Sequence, residues 1–329
     1  MTRQGSVLAA LGAVLAMLAP AGPASASYSY EGSFGHAGGG RGGFGAPRAD
    51  YRLYRLKTSP GAIAFDGRGN LWVSDSLGSR VERFSPTGRY LGGFGHKGIT
   101  PGGWLSPQGL VVAGGRLYVS MNGNDRIDVF TLHGRWLKMF GVSYNVRERF
   151  AMTRGGGPGQ LHNPYQLARA PNGRFYVADL NNGRVNRYSR GGRSLGQIGS
   201  FGTGPGQFLS PYGVVVDGAG NVYVSDRDLN HVDKFSASGQ LLAEFGETGS
   251  GPGGFRSPGG LALDRSGNLY VADLANLRVV KLAPDGTFLE SIGDGILKDP
   301  NYVAVASDCT VYVSDYRRVV RFAPRGGGC

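Results

Sequence analysis

Short apolar runs broken by turn-forming residues recur along almost the whole chain, and one stretch shows the grammar in full. Gly213-Val214-Val215-Val216-Asp217 reads as a strand, Gly218-Ala219-Gly220 as a turn, and Asn221-Val222-Tyr223-Val224 as a second strand. After Ser225-Asp226 and a short loop, His231-Val232-Asp233-Lys234-Phe235 alternates polar and apolar positions, as a half-exposed strand does. Ser238-Gly239 turns the chain again, and Leu241 to Phe245 forms an outer strand that runs into a glycine-rich connector.

The same unit returns at a fixed period. Pro60, Pro107, Pro164, Pro211, Pro258 and Pro300 open successive copies, spaced 47, 57, 47, 47 and 42 residues apart, a period that fits a four-stranded blade. Six starts predict an all-β, six-bladed β-propeller of antiparallel blades. Leu71-Trp72-Val73, Leu117-Tyr118-Val119, Phe175-Tyr176-Val177, Leu269-Tyr270-Val271 and Val311-Tyr312-Val313 are the equivalent second strands. Their aromatic residues share one register, which points to core packing between blades and away from a ligand cage. The last unit, Asn301 to Cys329, holds only three strands, while Tyr28 to Gly35 matches a fourth strand with nothing before it. The N-terminal strand is therefore expected to complete the last blade and close the ring.

Composition agrees. Glycine supplies 59 of 329 residues, yet 40% of the chain is hydrophobic, which suits short strands joined by tight turns and excludes a disordered tract. Residues 1–26 stand apart: Arg3, an apolar stretch from Val7 to Leu18, and Ala24-Ser25-Ala26 form a signal peptide cleaved after Ala26. A retained anchor is the rival, but the apolar stretch falls short of the ~20 residues needed to cross a bilayer. Residues 27–329 then form the propeller, secreted or held at the cell surface. Export makes a Cys309–Cys329 disulfide the expected state of the two cysteines, closing a loop worth about 3 kcal/mol. The net charge of +12 favours anionic partners, although charge speaks first to solubility.

Residues Gly213 to Phe245, with their Asn221 to Asp226 core, resemble the NHL-repeat family of six-bladed propellers, and the likeness spans the mature chain. The resemblance implies the fold. It leaves function open, since relatives include RNA-binding and protein-binding modules, peptide-amidating lyases and exported bacterial proteins. The lyase motif places a histidine after the blade-opening proline. Of His36, His96, His133, His162 and His231, only His162 neighbours such a proline, and it precedes Pro164.

Three sets of residues are candidates for chemistry. An Asp ending the second strand and an Arg five positions later recur as Asp75/Arg80, Asp179/Arg184 and Asp273/Arg278; once-per-blade repetition marks them as structural clamps. Arg126, preceded by Met121 where an Asp is expected, and His231, in place of an Arg, depart from this pattern. With Arg52 and Arg55 in one insertion and Arg147 and Arg149 in another, they make up a basic loop face. A solvated loop is the plain alternative, and one histidine is too few for a metal site, so no metal site is assigned. Finally, Gln108, Tyr165, Gln166, Tyr212, Asn301 and Tyr302 follow the blade-opening prolines and converge on the channel mouth, as a ligand site or as a plug.

These features predict a monomeric, non-enzymatic binding scaffold that engages a protein or an anionic cell-wall or extracellular polymer. Nucleic acid is not expected for an exported chain, no transmembrane span is foreseen, and no catalytic residue is assigned. No cofactor is predicted, with a structural Ca or Zn in the central channel left open. The alternative is a metal-assisted lyase or lactonase at the channel mouth.

Overall fold

A computed structural model describes residues 28–44, 60–142 and 155–325. Six four-stranded antiparallel sheets follow one another around a ring. Blade 1 contains Ile63–Phe65, Leu71–Asp75, Arg80–Phe84 and Tyr90–Phe94; blade 2 contains Pro107–Ala113, Arg116–Met121, Arg126–Thr131 and Trp136–Phe140. Blade 3 runs from Pro164–Arg169 to Ser194–Ile198, blade 4 from Pro211–Val216 to Leu241–Phe245, and blade 5 from Pro258–Leu263 to Phe288–Ile292. Blade 6 has Pro300–Val305, Val311–Asp315 and Arg318–Pro324, and its outer strand is the N-terminal Tyr28–Phe34. That strand pairs antiparallel with Arg318–Pro324, from Tyr28 opposite Pro324 to Phe34 opposite Val319. Ring closure is as the sequence predicts.

The prolines begin the inner strands of blades 2 to 6, where a residue without an N–H loses no ladder bond. Pro60 precedes the shorter inner strand of blade 1, Ile63–Phe65. The core lies between blades: apolar clusters join neighbours, such as Tyr118, Ile127 and Phe140 of blade 2 with Phe175, Val177 and Tyr188 of blade 3, and one also takes in Tyr212 and Tyr302 near the axis. Trp72, Tyr118, Tyr176, Tyr223, Tyr270 and Tyr312 are all buried in these layers, as their shared register requires.

Close to the axis, serines tie blade to blade. Ser74 Oγ donates to the Gln108 carbonyl (2.6 Å), Ser120 Oγ to Tyr165 and Ser225 Oγ to Gly259 (2.6 Å), while Ser314 Oγ donates to Gly61 and so joins blade 6 to blade 1. Inner strands approach so closely that a Cβ on Gly213 would lie 2.6 Å from the Gly259 carbonyl, which is why a glycine sits there. Among the described residues no helix is long and apolar enough to cross a membrane. Cys309 is buried, and its predicted partner Cys329, like residues 1–26, lies outside the described residues.

Candidate functional site

The recurring Asp–Arg pairs are built into the frame. Asp179 is fully buried and accepts from the His162 N–H (2.6 Å), Asn182 (2.8 Å), Arg184 Nε (2.9 Å) and Asn186 (2.8 Å). The rest of the Arg184 guanidinium donates to the Gly156, Gly157 and Gln160 carbonyls in the connector entering blade 3. Arg278 does the same between Asp273 and the carbonyls of Gly251 and Gly254. Each guanidinium thus fastens a glycine-rich connector to its blade through charge-assisted bonds.

Arg126 belongs to this set, so its assignment to an open, basic loop face needs correction. It is buried, pairs with Asp128 at 2.9 Å, and donates to Ile99, Thr100 and Gly103 carbonyls. The acid missing at Met121 is supplied by Asp128, two residues after Arg126 on the same strand face, where alternate side chains meet. Asp125, next to Arg126 in the chain, accepts from the Asn163 N–H. Arg52, Arg55, Arg147 and Arg149 lie outside the described residues.

At the channel mouth, contacts run between neighbouring blades and also between blades that are not neighbours, which places these side chains around the axis. Tyr165 of blade 3 packs on Tyr212 of blade 4 with ring centroids 4.2 Å apart, and Tyr212 on Tyr302 of blade 6 at 5.4 Å. The Tyr212 hydroxyl donates to Asn301 Oδ1 at 2.9 Å. Arg227, which the sequence did not single out, donates to the same oxygen at 2.6 Å, and its guanidinium lies 3.6 Å from the Tyr212 ring centre. Gln166 crosses from blade 3 to blade 5, donating to the Leu261 carbonyl (2.8 Å) and accepting from its N–H (2.9 Å). Gln108 is buried at the opposite side, its Oε1 without a hydrogen-bond partner.

Burial pushes Tyr165 up to about 12, with Tyr212 adding to the shift and Arg227 opposing it. Tyr212 and Tyr302 are raised by burial as well. All three are neutral near pH 7; the Tyr212 hydroxyl is satisfied by Asn301, whereas the buried Tyr302 hydroxyl has no hydrogen-bond partner among the described residues. Of the six residues predicted at the mouth, the structure brings Tyr165, Tyr212, Asn301 and Tyr302 into one cluster with Arg227.

His231 opens the third strand of blade 4, where other blades carry the clamp arginine. Its imidazole turns to two carboxylates, with Nε2 3.7 Å from Asp233 Oδ1 and Nδ1 3.4 Å from Glu244 Oε1. Asp233 is fully buried, and burial followed by the charges of Glu244 and Asp226 pushes it up to about 7. Taken alone, His231 offers a single ligand, too few for a metal site. Asp233, two residues along the same strand, was the signal to use; Glu244 becomes visible only through strand register, opposite Asp233.

A basic cleft opens on the far side of the ring, where the strand-connecting turns of blades 2 and 3 meet. Arg116, Arg169 and Arg190, with Tyr118, Ala113 and Gly114, line a space of about 130 Å³. The three arginines are exposed, and none forms an ion pair with a carboxylate among the described residues. The cause is local. In blades 1, 4 and 5 the turn between the first two strands is held by Asp66, Asp217 and Asp264, each accepting from backbone N–H groups. Blade 2 has Ala113-Gly114-Gly115-Arg116 there, and blade 3 turns on the neutral Asn172 followed by Gly173 and Arg174. Losing the acids and gaining arginines makes this sector positive.

Residues 255–282 match the NHL repeat. No curated protein matches the chain in sequence. Among solved structures, the chain is similar to virginiamycin B lyase from Staphylococcus aureus, captured with quinupristin, at 12% identity, 82% coverage of each chain and a TM-score of 0.58. It is also similar to a gluconolactonase from Xanthomonas campestris (18% identity, 83% of this chain and 88% of that one, TM-score 0.61). A luciferin-regenerating enzyme is similar at 14% identity over 83% of this chain and 94% of the other, with a TM-score of 0.60. Likeness at these identities establishes the propeller and leaves the activity to be argued from the site.

Proposed function

We propose that this six-bladed propeller with an NHL repeat is a non-enzymatic binding module, working outside the cytoplasm, that holds an anionic polymer in the arginine cleft between blades 2 and 3. The observation that carries this reading is the convergence of Arg116, Arg169 and Arg190 where the repeat's turn carboxylates have been replaced. Guanidinium groups bind phosphate, sulfate or carboxylate oxygens in pairs, and the Tyr118 ring walls the cleft on its blade 2 side. Flanking Arg174 and Arg193 are exposed and extend the positive surface beyond the cleft, as a chain-like ligand requires. The test is binding of inorganic polyphosphate across a salt series. Affinity should fall as salt rises, and R116A/R169A/R190A should weaken it by about 10–100-fold while reducing the log–log salt slope by roughly 2–3. Equal binding by the triple variant, or binding indifferent to salt, overturns the reading.

A second reading, a lyase or lactonase at the channel mouth, draws on the convergence of Arg227, Tyr212 and Asn301 and on the activities named for propellers of like fold. Arg227 is the cation available there to an ester or amide oxygen. Hydrolysis or elimination of a lactone or cyclic depsipeptide by the wild-type chain, lost in Arg227→Ala, would put this reading first; turnover unchanged in that variant rules the mouth out as its site.

A further inference from the structure

We propose that His231, Asp233 and Glu244 form a binding site for one divalent transition-metal ion, of the Zn2+ type, on the outer half of blade 4. One donor atom from each of the three side chains lies within 4.8 Å of the others. Asp233 is fully buried, and neither of its oxygens has a hydrogen-bond partner. His231 Nε2, 3.7 Å from one of them, is likewise without one. Buried carboxylate oxygens are otherwise satisfied almost without exception, so a pair left open beside an open imidazole nitrogen marks the place of a missing electrophile.

The repeat shows what normally fills that place. At the position of Asp233, blade 1 carries Glu82 and blade 2 carries Asp128, and each receives the clamp arginine: Arg80 Nε lies 2.7 Å from Glu82 and Arg126 Nε 2.9 Å from Asp128. Blade 4 keeps the acid and exchanges the arginine for histidine. A fixed cation has gone and a metal ligand stands in its position, while the facing strand adds a second carboxylate. The side chain of Glu244 is 49% exposed, so it can swing inward to complete three protein ligands with an open position for water. One imidazole and two carboxylates suit Zn2+ and its neighbours, whereas Ca2+ takes oxygen ligands only. The ion would join the third and fourth strands as the guanidinium joins strand and connector elsewhere. This site is separate from the arginine cleft and does not depend on it.

Titrating Zn2+ into metal-stripped full-length protein, followed by calorimetry and thermal melting, tests the proposal. One ion should bind per chain, and Tm should rise by about 5 °C when Zn2+ reaches 100 times its Kd. His231→Arg, which restores the pairing of blades 1 and 2, should fold normally and lose at least 100-fold in Zn2+ affinity; Asp233→Asn should lose as much. Ca2+ at the same concentrations should leave Tm unchanged. Absence of Zn2+ binding, or binding undiminished in His231→Arg, overturns the proposal and leaves an imidazole held between two carboxylates.

Discussion

Deleting Tyr28–Phe34 is expected to lower Tm by more than 10 °C and to turn the protein into self-associating species. The strand supplies the outer edge of blade 6, in register with Arg318–Pro324. It also touches the blades on either side. The Tyr28 and Tyr270 hydroxyls lie 2.9 Å apart, which ties it to blade 5, and the Phe34 ring packs 5.0 Å from Phe84 of blade 1. Tyr30 covers Phe322 on blade 6 itself. Losing one buried aromatic costs about 3–5 kcal/mol. With the ladder bonds added, the deletion consumes much of a typical domain stability of ~5–15 kcal/mol. The bared strand then offers unpaired N–H and C=O groups to another chain. Calorimetry and light scattering read both effects, and a synthetic Tyr28–Phe34 peptide should restore part of the loss by pairing in trans. Tyr28→Phe, which removes only the hydroxyl contact, should cost about 1 kcal/mol. A monomeric deletion variant melting within a few degrees of the intact chain would show that the ring does not need this closure.

The contrast between repeated and unrepeated features explains what could be read from the sequence. Blade number, strand order and ring closure were legible because each blade restates the same alternation, and because Tyr28 to Gly35 carries the strand that the last unit lacks. The aromatic register was legible for the same reason. Arg126 was misread because pairing was sought only with the acid before it, whereas alternate residues on one strand share a face, and Asp128 meets it there. The contacts at the channel mouth depend on distances across the ring, such as Gln166 to Leu261, that no local pattern encodes. Arg227 escaped notice because it follows a regular Asp226 in a loop of ordinary length, at a position where blades 1, 2, 3 and 5 carry Ser76, Asn122, Leu180 and Leu274 and no arginine. The arginine cleft was missed because it is defined by turn carboxylates that Ala113 and Ala170 do not supply, and its members come from two blades.

Asp179→Ala is expected to destabilise the protein by about 3–5 kcal/mol, the cost of leaving a buried charge without its partner. Asp179 is the hub of four hydrogen bonds, and its removal strands the buried Arg184, whose other donors hold the connector into blade 3. Burial is the largest influence on the Asp179 carboxyl and raises it, outweighing the His162 N–H, Asn182 and Arg184 that favour its charge. The pair is therefore worth less in net stability than the cost of breaking one half of it. Two consequences follow from that inequality. The double variant Asp179→Ala/Arg184→Ala should be less destabilised than the sum of its single variants, by at least ~1 kcal/mol, since the second change removes the stranded charge. Arg184→Ala alone should also loosen the connector, seen as faster amide exchange in residues 155–161. Urea denaturation of the four proteins measures the cycle. A single Asp179→Ala cost below about 1 kcal/mol, or strict additivity, would mean that the connectors are held by their own turns and that the once-per-blade clamp is incidental to the ring.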